Sequence, residues 1–186
     1  MYLKLKDFIY PKAHLNNFNS SNNSFYIKET DPSAKCRRID LLKFESQSNF
    51  FALALDSSSV KCGTSQKISP FFTNKKGLDK GNDALIFTRI KDNDYVFICE
   101  LKDGGKAKDF IPQFKSSTCF IEYIKSILKR FYGIKTDNLI FKYIVFSYVA
   151  PQLDTTDGKF ISTKIDDFDV YHVNCTNKNY YIESFI

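Results

Sequence analysis

The chain has 186 residues, 43% of them hydrophobic and 16% aromatic, which is enough for one core of ordinary size and too little for two comfortable domains. Its 27 Lys and Arg against 21 Asp and Glu give a net charge of +6, which suits an anionic partner and equally serves solubility. No apolar run approaches the length of a membrane span, "MYLKLKDFIYPKAHL" lacks the apolar stretch of a signal peptide, and the five cysteines are odd in number without a Cys-x-x-Cys pair, so a single cytoplasmic domain with no membrane partner is expected.

A short amphipathic start leads into "NNFNSSNNSF" (16–25), whose Asn and Ser side chains compete for backbone hydrogen bonds and predict a loop. "AKCRRIDLLKF" (34–44) suits a short helix or a strand, and "NFFALALD" (49–56) is apolar enough for a buried strand. The stretch 57–82 mixes Ser, Gly, Pro and Lys over too many residues for a tight turn and reads as a functional loop with one short strand inside it. "DALIFTRI" (83–90) and "YVFICELK" (95–102) flank "KDND", whose Asp92-Asn93 centre suits a hairpin turn. From 109 to 132, Phe110, Phe114, Ile121, Ile124, Leu128 and Phe131 recur at helical spacings, and Gly133 follows as a C-terminal cap. "NLIFKYIVFSYVA" (138–150) reads as a buried strand, and "DFDVYHVNC" and "NYYIESFI" as later strands or a closing hairpin. There is no internal repeat. The order of strand, hairpin, helix and strand predicts an α/β fold, a mixed β-sheet flanked by helices, with a core over about 49–150 and an N-terminal segment over 1–48.

The apolar run 95–99 ends in Glu100-Leu101-Lys102, and residues two apart on a strand share a face, so Glu100 and Lys102 point one way and Leu101 the other. With the turn centred on Asp92-Asn93, Lys91 opposes Asp94, Leu85 opposes Glu100 and Asp83 opposes Lys102. Asp83 then shares the face of Glu100, about 7 to 8 Å away on the diagonal, and a slip of one residue would send it to the opposite face. Two converging carboxylates repel each other and invite a hard divalent cation such as magnesium, with manganese as a substitute. A neighbouring Lys can orient water and offset phosphate charge, so the group has the chemistry of a phosphodiester-cleaving site.

Asp83 opening one strand, Glu100-Leu101-Lys102 closing the next and a helix soon after resemble the PD-(D/E)XK nuclease superfamily, the fold of many restriction and repair endonucleases. The resemblance implies a restriction endonuclease-like core with Asp83 and Glu100 as metal ligands, the Leu101 carbonyl as a further ligand and Lys102 as the catalytic lysine. Several branches carry a Gln near the start of the following helix, where Gln113 stands in "DFIPQF", and many add an acidic residue from an N-terminal helix, for which Glu45 or Glu29 could serve. The likeness covers 81–132 and the strand after it, and departs in lacking Pro before the Asp, since "GND" precedes "ALIF". It implies cleavage of DNA rather than RNA to a 3′-hydroxyl and a 5′-phosphate. By analogy, the setting is restriction or phage defence, with any sequence specificity coming from 57–82, a homodimer or a partner protein.

Duller readings stand beside these. A Glu-x-Lys triplet is common as a surface ion pair. "DGGKAK" (103–108) fails the phosphate-loop pattern, because Ala107 stands where Ser or Thr is needed; it reads as a flexible link whose Lys106 and Lys108 are in reach of a nucleic-acid backbone. Lys115, Lys125, Lys129 and Arg130 suit either a solvated helix face or a nucleic-acid groove. His14 and His172 lie far apart without metal-ligand spacing, and His172 reads as a strand residue. The alternative to an enzyme is an inactive module of the same fold that binds nucleic acid or a protein.

Overall fold

The computed structural model of the chain describes residues 1–55, 78, 80–150, 155–156 and 158–186. In chain order the elements are α1 (Tyr2–Phe8), β1 (Phe18–Asn19), β2 (Ser24–Lys28), β3 (Arg38–Leu42), β4 (Phe50–Leu53), β5 (Ala84–Ile90), β6 (Asn93–Lys102), α2 (Ile111–Tyr132), β7 (Ile140–Ser147), β8 (Thr155–Thr156), β9 (Lys159–Phe160), β10 (Thr163–Ile165), β11 (Phe168–Asn174) and β12 (Asn179–Tyr181).

Strand β6 is buried without a break from Tyr95 to Leu101, which its continuous apolar run requires of a strand covered on both faces. It pairs antiparallel with β5 and parallel with β7. The full sheet has the order β10-β11-β7-β6-β5-β4, parallel across β6, β7 and β11 and antiparallel elsewhere. A second sheet, β1-β2-β3-β12, also mixes both pairings, and β8 with β9 forms a small separate hairpin. The fold is therefore mixed α/β, as expected, with two mixed sheets.

Side-chain parity assigns the faces of the six-stranded sheet. Leu85, Phe87, Val96, Ile98 and Val145 pack with Phe110, Phe114, Ile121, Ile124 and Leu128 of the α2 region and with Leu5 of α1. The intervening residues, among them Ile86, Phe97, Leu101 and Phe146, pack against Phe25, Ile27, Ile39 and Leu41 of the second sheet. Among the described residues, α1 and α2 thus lie on one face of the large sheet and the second sheet lies on the other. Residues 1–48, expected as a segment outside the core, supply three strands of that second layer.

The structure bears on three further expectations. Residues 16–25 form the β1–β2 hairpin instead of a loop, because Phe18 packs its ring at a tilt against Phe44 and Phe50 and this partial burial outweighs the turn preference of the Asn and Ser residues around it. Of the two readings for the last segments, the structure has later strands and not a closing hairpin: β11 pairs with β7, and β12 pairs parallel with β3 in the second sheet. The helix begins at Ile111 after a 3-10 turn at Ala107–Asp109, and Phe131 is 79% exposed, off the apolar stripe. Cys36 and Cys175, 139 residues apart in sequence, come together with Cα atoms 5.6 Å apart. The expected C-terminal cap is present: Gly133 adopts φ 66° and the Ile134 N–H reaches the Leu128 carbonyl at 3.0 Å. Most of the 57–82 stretch, with its expected short strand, lies outside the described residues.

The β5–β6 turn is centred on Lys91-Asp92, one residue earlier than expected. Both residues have positive φ, 49° and 64°, which is the two-residue turn that matches strand twist. Lys91 tolerates this conformation in the company of Glu45, whose Oε1 accepts the Lys91 N–H at 2.5 Å, a contact from 46 residues away. Moving the turn centre by one residue shifts the register by two: Ala84 pairs with Cys99, so continuing the ladder sets Asp83 opposite Glu100. An even shift preserves the parity of the paired residues Ala84–Ile90, and Asp83 stands at a bend just beyond them.

Phe114, fully buried at the centre of the α2 face, and Phe131, exposed near the helix end, make a matched pair. Phe114→Ala is expected to lower unfolding stability by about 3 to 5 kcal/mol in urea titration, and Phe131→Ala to change it by no more than about 0.5 kcal/mol. Equal effects would contradict the assigned helix face.

Candidate functional site

β5 and β6 diverge where the chain bends at Asp83, just before β5 begins. There the Asp83 Oδ2 accepts the Leu101 N–H at 2.6 Å, taking the place of the backbone carbonyl that a longer β5 would supply. Within a strand, the N–H and C=O of one residue point to the same neighbour. The Leu101 carbonyl therefore also faces the Asp83 side, where a ligand between the two could use it.

Glu100 follows Val96 and Ile98 onto the α2 face and is only 3% exposed. A carboxylate buried this far needs compensation. Its Oε1 lies 2.5 Å from Lys102 Nζ, and its Oε2 accepts a hydrogen bond from Asn82 Nδ2 at 2.7 Å. Asn82, fully buried, in turn accepts a hydrogen bond through Oδ1 from the hydroxyl of Ser117 on α2. A polar chain thus links helix to sheet through Ser117, Asn82, Glu100 and Lys102.

Burial pushes the Asp83 carboxyl well above the usual carboxylate range, the negative charge of Glu100 adds to this, and the Leu101 N–H and Lys102 only partly oppose it. Glu29 contributes a smaller push in the same direction. Glu29 follows β2 and lines an open cleft with Asp31, Leu101, Lys102 and Asp103. Of the two N-terminal acids considered from sequence, the structure brings Glu29 to this end. Glu45 sits at the hairpin turn, seven residues of β6 and roughly 23 Å away at about 3.3 Å per residue.

Gln113 is buried in the first turn of α2, one turn before Ser117 on the same helix face, and its Oε1 has no hydrogen-bond partner among the described residues. Lys106 and Lys108 are exposed in the segment between β6 and α2. Lys115 forms an ion pair of 2.5 Å with Asp166, the residue that follows β10. Among the described residues, no group of three or more His, Cys, Asp and Glu side chains is close enough together to hold a metal ion. No described helix is long and apolar enough to cross a membrane.

Sequence reasoning missed Asn82, Ser117 and the pair Ser147–His172. A lone Asn before an Asp, or a Ser within a helix, carries no periodic signal. Their partners come from other elements: α2 brings Ser117 to Asn82, and the pairing of β7 with β11 brings Ser147 to His172.

The chain matches no family model, no curated protein and no solved structure.

The raised Asp83 carboxyl has a definite sign in its effect on stability. Below the unfolded value the group is protonated in both states and carries no penalty; as pH rises through the window up to the folded value, stability is lost. Asp83→Asn keeps an oxygen for the Leu101 N–H. It is expected to raise the thermal midpoint of metal-free protein at about pH 8, with the gain shrinking toward zero near about pH 4. An equal gain at both pH values would trace to packing and not to charge.

Proposed function

We propose that the chain is a magnesium-dependent nuclease that hydrolyses phosphodiester bonds, with DNA as the expected substrate and Asp83, Glu100 and Lys102 at its centre. The observation that carries this reading is the meeting of Asp83 and Glu100 at the end of the β5–β6 pair, where the Asp83 Oδ2 accepts the Leu101 N–H and Lys102 Nζ stands 2.5 Å from Glu100. Like charges gathered in a buried place store a cost that a cation would relieve. The element order supports it as well: three antiparallel strands, a helix, then a strand parallel to the last of the three, as the resemblance to PD-(D/E)XK nucleases implies.

The donors fit a hard divalent ion. All are oxygens, from the carboxylates of Asp83 and Glu100 and the carbonyl of Leu101, with the carboxylate of Glu29 lining the neighbouring cleft. When bound, the ion supplies Lewis-acid polarisation of the phosphate and a more acidic water. Lys102, held beside Glu100, offsets phosphate charge and orients the attacking water. Gln113 brings a buried oxygen without a donor, suited to accept a hydrogen bond from that water. Exposed Lys106 and Lys108 suit the flanking phosphates, and Lys115 can join them only by leaving Asp166. The products are a 3′-hydroxyl and a 5′-phosphate, and a restriction or phage-defence setting in the cytoplasm is the context the resemblance suggests.

Purified protein incubated with plasmid, linear duplex, single-stranded DNA and RNA is expected to cut at least one of them with magnesium or manganese and none with chelator. Glu100→Gln, Asp83→Asn and Lys102→Ala are each expected to lower the rate by about a hundredfold or more while the fold, read by circular dichroism, is kept. Binding that depends on salt, ignores magnesium and leaves every substrate intact would replace the enzyme reading by that of a binding module.

A further inference from the structure

The C-terminal end of β7 carries a polar residue that the proposed chemistry does not use. Ser147 is fully buried and is the register partner of Lys102, on the strand next to it. Neighbouring strands lie about 4.8 Å apart. The Ser147 hydroxyl shares a hydrogen bond of 2.8 Å with His172 Nε2 on β11, two residues before its register partner Asn174, so Lys102, Ser147 and His172 stand on adjacent strands β6, β7 and β11 on the α2 face.

The ring of His172 meets two other parts of the site. A Cβ placed on Gly105 would lie 2.7 Å from His172 Cε1 and 3.1 Å from Nε2, so the turn after Lys102 comes against the imidazole as closely as a backbone without a side chain allows. On another side the ring packs edge-on against Phe110, centroids 5.9 Å apart. Phe110 is the N-cap residue of α2, fully buried, and no side chain caps the helix by a hydrogen bond. The point where α2 begins, three residues before Gln113, is therefore set by the packing of Phe110 and not by a cap.

We propose that His172, tied to Ser147, is a positioning residue of the candidate site: its ring is the seat for the turn 103–106 and for the Phe110 start of α2, and it thereby holds Lys102 and Gln113 in register with Glu100. The proposal rests on the nuclease reading for its consequence in rate, and on geometry alone for the seat. Displacements of about 1 Å at a reacting centre can cost about a hundredfold in rate.

The test is a double-mutant cycle of Gly105→Ala and His172→Ala. Gly105→Ala drives a methyl group into the ring and is expected to lower kcat by about tenfold or more with KM within about twofold, and His172→Ala to do the same. In the double variant the ring is gone and the nearest remaining atom is the Val149 carbonyl oxygen at 3.4 Å. The double variant is therefore expected to be no slower than His172→Ala alone. Losses that multiply, or a change in KM without kcat, would overturn the proposal. Hydrogen exchange gives a second readout that needs no activity: His172→Ala is expected to speed exchange over 103–113 and leave the β6 interior protected. Faster exchange in a protein that cuts nothing would leave the seat standing and remove the nuclease reading; unchanged exchange over 103–113 would remove the seat whatever the activity.

Discussion

The carboxylate of Glu100 lies inside the protein, between the central sheet and α2, where an isolated charge is worth several kcal/mol of penalty. Each neighbouring feature answers that charge. Lys102 supplies the opposite sign, and Asn82 supplies a donor and is itself held by Ser117, so the helix cannot shift along the sheet without leaving a buried acceptor unsatisfied. Because Glu100 is anchored at both oxygens, the buried charge sets the relation of α2 to β6 at the end where the site lies. A core of aliphatic and aromatic side chains alone tolerates many near-equivalent packings.

The two ends of the β5–β6 pair show opposite electrostatic policies. At the hairpin end, Arg89 grips both oxygens of Asp94 at 3.0 Å each and the hydroxyl of Tyr2 donates to the same carboxylate at 2.5 Å, so that Asp94 ionises more readily than usual. Glu45 closes the turn. At the other end Asp83 and Glu100 face each other, and Asp83 is pushed the opposite way. One end of the pair holds a carboxylate matched by its donors, and the other holds two neighbouring carboxylates that Lys102, Asn82 and the Leu101 N–H only partly offset.

The chain termini complete the second layer. β3 pairs antiparallel with β2 and parallel with β12, and the segment between β2 and β3 is tied to the site because Asp103 accepts the backbone N–H groups of Lys35 and Cys36 at 2.7 and 3.3 Å. Cys175, beside Cys36, donates its own N–H to the Ser147 carbonyl at 2.9 Å. The second sheet is thus fastened to the large one at the C-terminal edge of β6 and β7, behind the candidate site. Glu29, which the sequence could not choose over Glu45, owes its place to this attachment.

Much of the fold was legible in the residues because it rests on local periodicity. Apolar runs at 83–90 and 95–102 defined both strands, and the period of two put Glu100 and Lys102 on one face; the two-residue change of register left the parity of the paired residues intact, and spacings of three and four defined α2 up to its Gly133 cap. The failures share one cause. Phe18 pulled an Asn-rich segment into a hairpin, Glu45 moved a turn by one residue, and Asn82, Ser117, Ser147 and His172 found partners on other elements. The sequence by itself determined which residues become strands and helices and which face each side chain takes, since these follow from the repeat of a single chain. Only the tertiary structure decided which faces meet, and with them the polar chain that holds Glu100, because contacts between residues far apart in sequence depend on how whole layers dock.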